Sequence, residues 1–215
     1  MSVAGAAERG EARQGEARRA NYRRSAGSPR GQARRQELLD RVTDDLAAKG
    51  LVDFSLRRAA RAAGTTHKVL LYYFDGADDL LAQAMVKLRE RRVISSLAAV
   101  DQAQLQTLAG RVRAVWSAVM GAEFRALGQS VGLTMYDPER YAGLGVRASE
   151  QYMSALLTIC PADWTAQRKR EVSEMIMAVL RGYTVEYLTS GDAAAVEAGF
   201  AALDRALERE EAAAE

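Results

Sequence analysis

Between Ser55 and Tyr73 the sequence gathers side chains that donate hydrogen bonds: Ser55, Thr65, Thr66, His67, Lys68, Tyr72 and Tyr73. Hydroxyls, an imidazole and an ammonium at close spacing suit either nucleophilic catalysis or the grasping of an anion. Catalysis is poorly served. His67 is the only histidine and Cys160 the only cysteine, and they lie in different halves of the chain. There is no Glu-x-x-His pair, and single His and Cys residues exclude His-rich metal sites, thiolate clusters and disulfide frameworks. The chain is expected to be no enzyme and to need neither metal nor cofactor. An anion is better served, because Thr66, His67 and Lys68 sit together at what reads as the start of a short helix.

The elements around these residues explain how they are presented. Ser55 is a good N-cap for a helix running to Ala63, and Gly64 breaks it. Ala59, Ala60 and Ala63 are small enough to let two helices cross closely, and Gly64 supplies the positive φ that a tight turn needs. Thr65 or Thr66 then caps the next helix, which ends near Tyr73. Val69, Leu70 and Phe74 point inward there, leaving Thr66, His67, Lys68, Leu71, Tyr72 and Tyr73 outward. A helix, a tight turn and a second short helix form a helix-turn-helix, a layout that places its second helix in a DNA major groove. Arg57, Arg58 and Arg61 read as a solvated basic face, with Arg58 or Arg61 able to reach a phosphate.

The run Ser55-x-x-x-Ala59-Ala60-x-x-Ala63-Gly64-Thr65-Thr66-x-x-x-Leu70-x-Tyr72-Tyr73-Phe74-x-x-x-Asp78-Asp79-Leu80-Leu81 resembles the DNA-binding domain of the tetracycline-repressor (TetR) family over about residues 34–90. The resemblance implies that Thr66, His67 and Lys68 enter the major groove, that Tyr72 reaches a base edge or phosphate, and that Tyr73 donates to a phosphate. Ser55 and Thr65 join that DNA-contacting set. Position 71 is Leu where the family usually has Tyr, and position 77 is Ala where it usually has Lys. An apolar contact, for instance with a thymine methyl, replaces a polar one at Leu71. A phosphate contact is lost at Ala77, for which Arg34, Arg35 and the basic tail are expected to compensate.

Charge agrees with this division of labour. The chain has 30 basic and 28 acidic side chains, a net of only +2. Residues 1–92 carry 19 basic and 12 acidic groups, a net of +7, and residues 93–215 carry 11 and 16, a net of −5. A basic front half is what contact with a polyanion requires. Residues 1–30 hold seven Arg and three Glu with almost nothing apolar, and are expected to form a disordered basic tail able to follow phosphates or enter a minor groove. Residues 31–76 form the expected helix-turn-helix domain, 77–95 a connecting helix, and 96–215 an all-helical ligand-binding and dimerisation domain. No apolar run approaches a membrane span and no signal-peptide stretch opens the sequence, so a cytoplasmic location without membrane contact is expected.

The fold is expected to be all-α. Period-3.6 patterning dominates, and Pro29, Pro138 and Pro161 are the only prolines. The expected helices run near 32–49, 55–63, 66–73, 77–95, 102–119, 121–136, 138–159, 163–189 and 192–211. In the acidic half Trp116, Met120, Phe124, Tyr152, Leu156 and Met177 are the candidate lining of an adaptable apolar cavity. Glu123 is either an orienting polar group there or an exposed edge. Ile176, Val179, Tyr183 and Tyr187, with Val196, Phe200, Leu203 and Leu207, form stripes on the last two helices. The resemblance implies that these pair across a two-fold as a four-helix bundle, the alternative being an ordinary core. The function it implies is a ligand-responsive transcriptional regulator: a homodimeric repressor that binds a pseudo-palindromic double-stranded DNA operator and is released by a small apolar effector. Two other readings stay open, a helix-turn-helix protein whose back half binds a protein partner, and an all-α enzyme.

Overall fold

The computed structural model describes residues 28–120 and 123–213, and every described element of regular structure is an α-helix. The proposed tail contact with DNA falls largely outside the described residues. The helices are α1 (Pro29–Lys49), α2 (Leu56–Ala62), α3 (His67–Tyr73), α4 (Ala77–Ala103), α5 (Leu108–Val119), α6 (Phe124–Tyr136), α7 (Pro138–Ile159), α8 (Ala166–Ser190) and α9 (Ala193–Ala212). The described residues fall into two compact units: one takes in 28–45 and 53–83, the other 46–52 and 84–213. No described helix is long and apolar enough to cross a membrane.

In the first unit α1 begins three residues earlier than its apolar stripe suggests. Ser28 accepts a hydrogen bond from the Gly31 amide at 3.1 Å, and Pro29 occupies the first turn, where its missing N–H is no loss. Leu38, Leu39 and Val42 of α1 are buried with Ala59, Ala60, Ala63, Leu70 and Phe74 of the two short helices and Leu80 and Leu81 of α4. Gly64 adopts φ +63°, a conformation a side chain would resist, and the Thr65 amide then closes back on the Ala60 carbonyl at 2.9 Å. Arg41 Nη1 donates to the Ala63 carbonyl at 3.2 Å, satisfying a helix end.

The second unit is a helical bundle in which α6 packs on α7, α7 on α8, and α9 on both α5 and α8. Its core includes Val112, Trp116, Phe124, Leu156, Ile159, Ile176, Phe200, Leu203 and Leu207. Arg113 on α5 binds Asp204 at 2.6 Å and Glu197 at 2.8 Å on α9, and lies over the Phe200 ring. α4 runs unbroken to Ala103, past the expected end at Ser95, because no Gly or Pro interrupts residues 77–103. Thr165 rather than Asp163 caps α8, accepting from the Arg168 amide at 3.2 Å. Gly191 at φ +71° ends α8, and Asp192 caps α9 through the Ala195 amide at 2.9 Å.

Candidate nucleic-acid interface and ligand cavity

The exposed face of α3 is built from both ends. At its start Thr66 Oγ1 accepts a hydrogen bond from the Val69 amide at 3.4 Å, and Ser55 does the same for α2 through the Arg58 amide at 3.3 Å. Inward, Leu70 is fully buried and Phe74 nearly so, with Val69 half-buried. That anchoring leaves Thr66, His67 and Lys68 exposed together, with Leu71 50% exposed one turn later. Tyr72 and Tyr73 are half-buried, their rings edge-to-face at 4.5 Å between centroids. Thr65 is half-buried in the turn and Ser55 is exposed. The face thus carries hydroxyl, imidazole and ammonium donors and one apolar side chain.

The arginines near this face divide between bracing and exposure. Arg35, expected among the phosphate contacts, is engaged within the chain. Its Nε donates to the Tyr73 carbonyl at 3.2 Å, its Nη2 donates to Gln83 Oε1, and its guanidinium lies 4.9 Å from the Phe74 ring centre. Gln83 is held in turn by Asp79, which also accepts from the Asp75 amide. Arg35 therefore fastens the C-terminal end of α3 to α1 and α4. Arg58 is engaged likewise, paired with Asp45 at 2.7 Å where little of either side chain is exposed. Arg34 pairs with Glu37 at 2.6 Å on a half-exposed surface. The carboxyl of Glu37 is held below its usual range, chiefly by the hydrogen bond from Arg34. Arg57 and Arg61 are exposed.

The second unit encloses a cavity of about 330 Å³. Trp116, Phe124, Tyr152, Leu156 and Met177 line it, joined by Leu97, Val131, Leu144 and Leu180. Met120 packs against the surrounding core and is not part of the lining. Two arginines that the sequence reading missed also line the cavity, Arg89 and Arg92 on α4, 1% and 3% exposed. Arg92 Nε meets Glu123 Oε2 at 3.2 Å and its Nη1 donates to the Ala118 carbonyl, so Glu123 serves as a counter-ion at the cavity edge. Arg89 Nε donates to Gln151 Oε1 at 2.9 Å, and Gln151 is turned that way by its own hydrogen bond to the Val86 carbonyl at 3.2 Å. Burial pulls the Arg89 guanidinium below its ordinary range and pushes the Tyr152 phenol above its own. The signal for the arginines was periodic. Met85, Arg89, Arg92, Ser96 and Val100 continue one buried stripe of α4 at helical spacing, and all are buried.

The apolar stripes of α8 and α9 that were expected to pair between copies pack largely against the chain's own core. Ile176, Val196, Phe200, Leu203 and Leu207 are buried within the chain's own core, against which Val179, Tyr183 and Tyr187 pack half-buried. Trp116 and Phe200 stack in a tilted pair at 5.2 Å, and Tyr183 meets Phe200 at 5.0 Å. Apolar periodicity marks a face to be covered, and here α5 covers it. The outward face of α8 holds Met175, Ala178, Gly182 and Val185, all exposed. Among the described residues no group of His, Cys, Asp and Glu is arranged to hold a metal ion.

No protein-family model matches the chain, and neither does any curated protein. Solved structures do match. A protein from Rhodococcus sp. assigned to the TetR family of transcriptional regulators superposes with a TM-score of 0.62 at 14% identity, over 81% of this chain and 96% of that one. The multidrug binding protein EbrR, complexed with imidazole, gives 0.57 at 20% identity over 81% and 94%. The fatty acid degradation regulator FadR from Bacillus halodurans gives 0.54 at 14% identity over 84% and 95%. With 94–96% of each of those chains and 81–84% of this one superposed, the protein has the all-α fold of TetR-type transcriptional regulators.

Proposed function

We propose that the protein is a ligand-responsive transcriptional repressor that binds a pseudo-palindromic operator as a homodimer. The observation that carries this reading is the face of α3, where Thr66, His67 and Lys68 stand exposed on a short helix anchored by Leu70 and Phe74. These donors suit phosphates and base edges at the start of a recognition helix. The cavity in the second unit favours a small effector over a protein partner, because its 330 Å³ falls within the usual range of ligand sites. EbrR, which shares this fold, is a multidrug binding protein solved with imidazole, and that supports the same choice.

The effector works by linkage. It binds more tightly to a conformer whose two recognition helices no longer match successive major grooves, and the operator is released in proportion to that difference in affinity. The two copies are proposed to meet through the outward face of α8 at Met175, Ala178, Gly182 and Val185, with Ala198 and Ala202 of α9, all exposed small or apolar positions. Footprinting of the purified protein on DNA flanking its own gene is the test. Protection of two half-sites about 34 Å apart on one face of the duplex is expected. No protected site at moderate salt would overturn the reading.

A further inference from the structure

The cavity wall is not uniformly apolar, and its polar part is incomplete. Arg89 is almost wholly buried, yet its Nη1 and Nη2 have no hydrogen-bond partner, and neither does Nη2 of Arg92 beside it. Glu123 answers the charge of Arg92. Among the described residues no carboxylate pairs with Arg89, whose one hydrogen-bonded nitrogen meets a neutral amide. Like charges lie nearby: Arg147 acts on Arg89 through space, and Arg92 and Arg181 also line the cavity. A buried guanidinium with two idle donors is costly unless something supplies the matching acceptors. The two terminal nitrogens form a fork whose spacing suits a carboxylate. The rest of the lining is mostly apolar, with Leu97, Trp116, Phe124 and Leu156, and also carries hydroxyls such as those of Ser96 and Tyr152, so it suits a largely hydrocarbon or aromatic body.

We infer that the effector is an amphipathic organic anion, whose carboxylate-like head binds the free edge of Arg89 with Arg92 Nη2 beside it and whose apolar body fills the rest of the cavity. The inference rests on the effector-cavity reading above and changes its chemistry, since a purely apolar effector would leave the Arg89 donors idle. Arg89 and Arg92 both sit on α4, the helix whose first turn follows the recognition helix by only three residues. The anion would thus be held by the helix that directly follows the recognition helix in the chain.

The test compares three probes of one chain length on the full-length protein: decanoate, decan-1-ol and decylammonium. Binding is read by calorimetry and by the fluorescence of Trp116, which lines the cavity. Decanoate is expected to bind about ten- to a hundredfold more tightly than decan-1-ol, the span that charge-assisted hydrogen bonds produce, and decylammonium more weakly than either. Arg89→Gln is expected to remove the preference for decanoate while leaving decan-1-ol binding intact, which also reports that the variant is folded. Arg89→Lys should restore part of it. If wild-type protein binds decan-1-ol as tightly as decanoate, the anion proposal is overturned and the small-molecule reading survives. If none of the three binds at millimolar concentration, the effector-cavity reading fails together with it. The wild-type comparison decides the matter even where a variant does not fold.

Discussion

Arg34 and Arg35 are neighbours in sequence with different work to do. Arg34 lies on the surface in a half-exposed pair with Glu37, and such pairs contribute little. Arg35 spends its donors on the Tyr73 carbonyl and Gln83 and its flat face on Phe74. Arg35→Ala is therefore expected to lower stability by about 1–3 kcal/mol, read as a fall in melting temperature. Well below that temperature the slope of operator affinity against salt should not change. Lys68→Ala is the converse. Its side chain is exposed, so melting should be unaffected, while the salt slope of operator binding falls by about one unit. An unchanged slope would remove Lys68 from the phosphate contacts. Residue type and spacing were enough to expect a capped helix start with exposed donors at Thr66, His67 and Lys68, because that is a local pattern. They were not enough to separate Arg34 from Arg35, because the groups that claim Arg35 lie on α3 and α4, distant in sequence. Arg89 was missed for a related reason. A lone arginine within an apolar stripe reads as a solvated interruption until burial shows that the stripe passes through it.

At the scale of elements, α8 and α9 show how far a hydrophobic pattern reaches. The stripe through Ile176, Phe200 and Leu203 was visible, and so was the need to cover it. Whether α5 or another copy does so depends on where Leu108–Val119 folds back, which no local pattern records. The consequence is a pair of contrasting variants. Leu203→Arg puts a charge into the core beside Phe200 and is expected to unfold the second unit rather than yield monomers. Gly182→Arg acts on the opposite face. A Cβ at Gly182 meets nothing within 4 Å, so the isolated chain should accept it and gain up to about 1 kcal/mol in helix propensity. If two copies of α8 pack closely there, the arginine separates them. Light scattering on a gel-filtration column should then report a folded monomer, with intact circular dichroism and weakened operator binding. A dimer that persists would place the interface on another face. Helix boundaries followed the same logic. Gly191, Asp192 and Pro138 mark their junctions in the sequence, whereas nothing near Ser95 could stop α4, and it runs on to Ala103.

Across the whole molecule the small net charge of +2 hides a division, +7 on residues 1–92 and −5 on the rest. The acidic half adds no attraction for phosphate, so the basic groups of the first half must supply it. Arg35 and Arg58 are committed to bracing, while Arg30, Arg57, Arg61 and Lys68 are among the basic residues in the described part of that half with exposed side chains. Residues 1–27 add six arginines against three glutamates, so they hold a large share of that half's net positive charge. Their removal is the sharpest probe of how affinity divides between charge and geometry, provided the cut spares Ser28 and Pro29, which start α1. A chain beginning at Ser28 should keep its melting temperature and its dimer. Its affinity should fall by a similar factor for the operator and for unrelated DNA, with a flatter salt dependence for both, because counterion release carries no sequence information. The ratio of operator to unrelated binding would then be unchanged, and recognition would belong to α3 alone. A fall confined to the operator would mean that the tail reads bases, as a minor-groove arm does. No fall at all would leave the tail outside the interface and place the whole electrostatic contribution on the folded head.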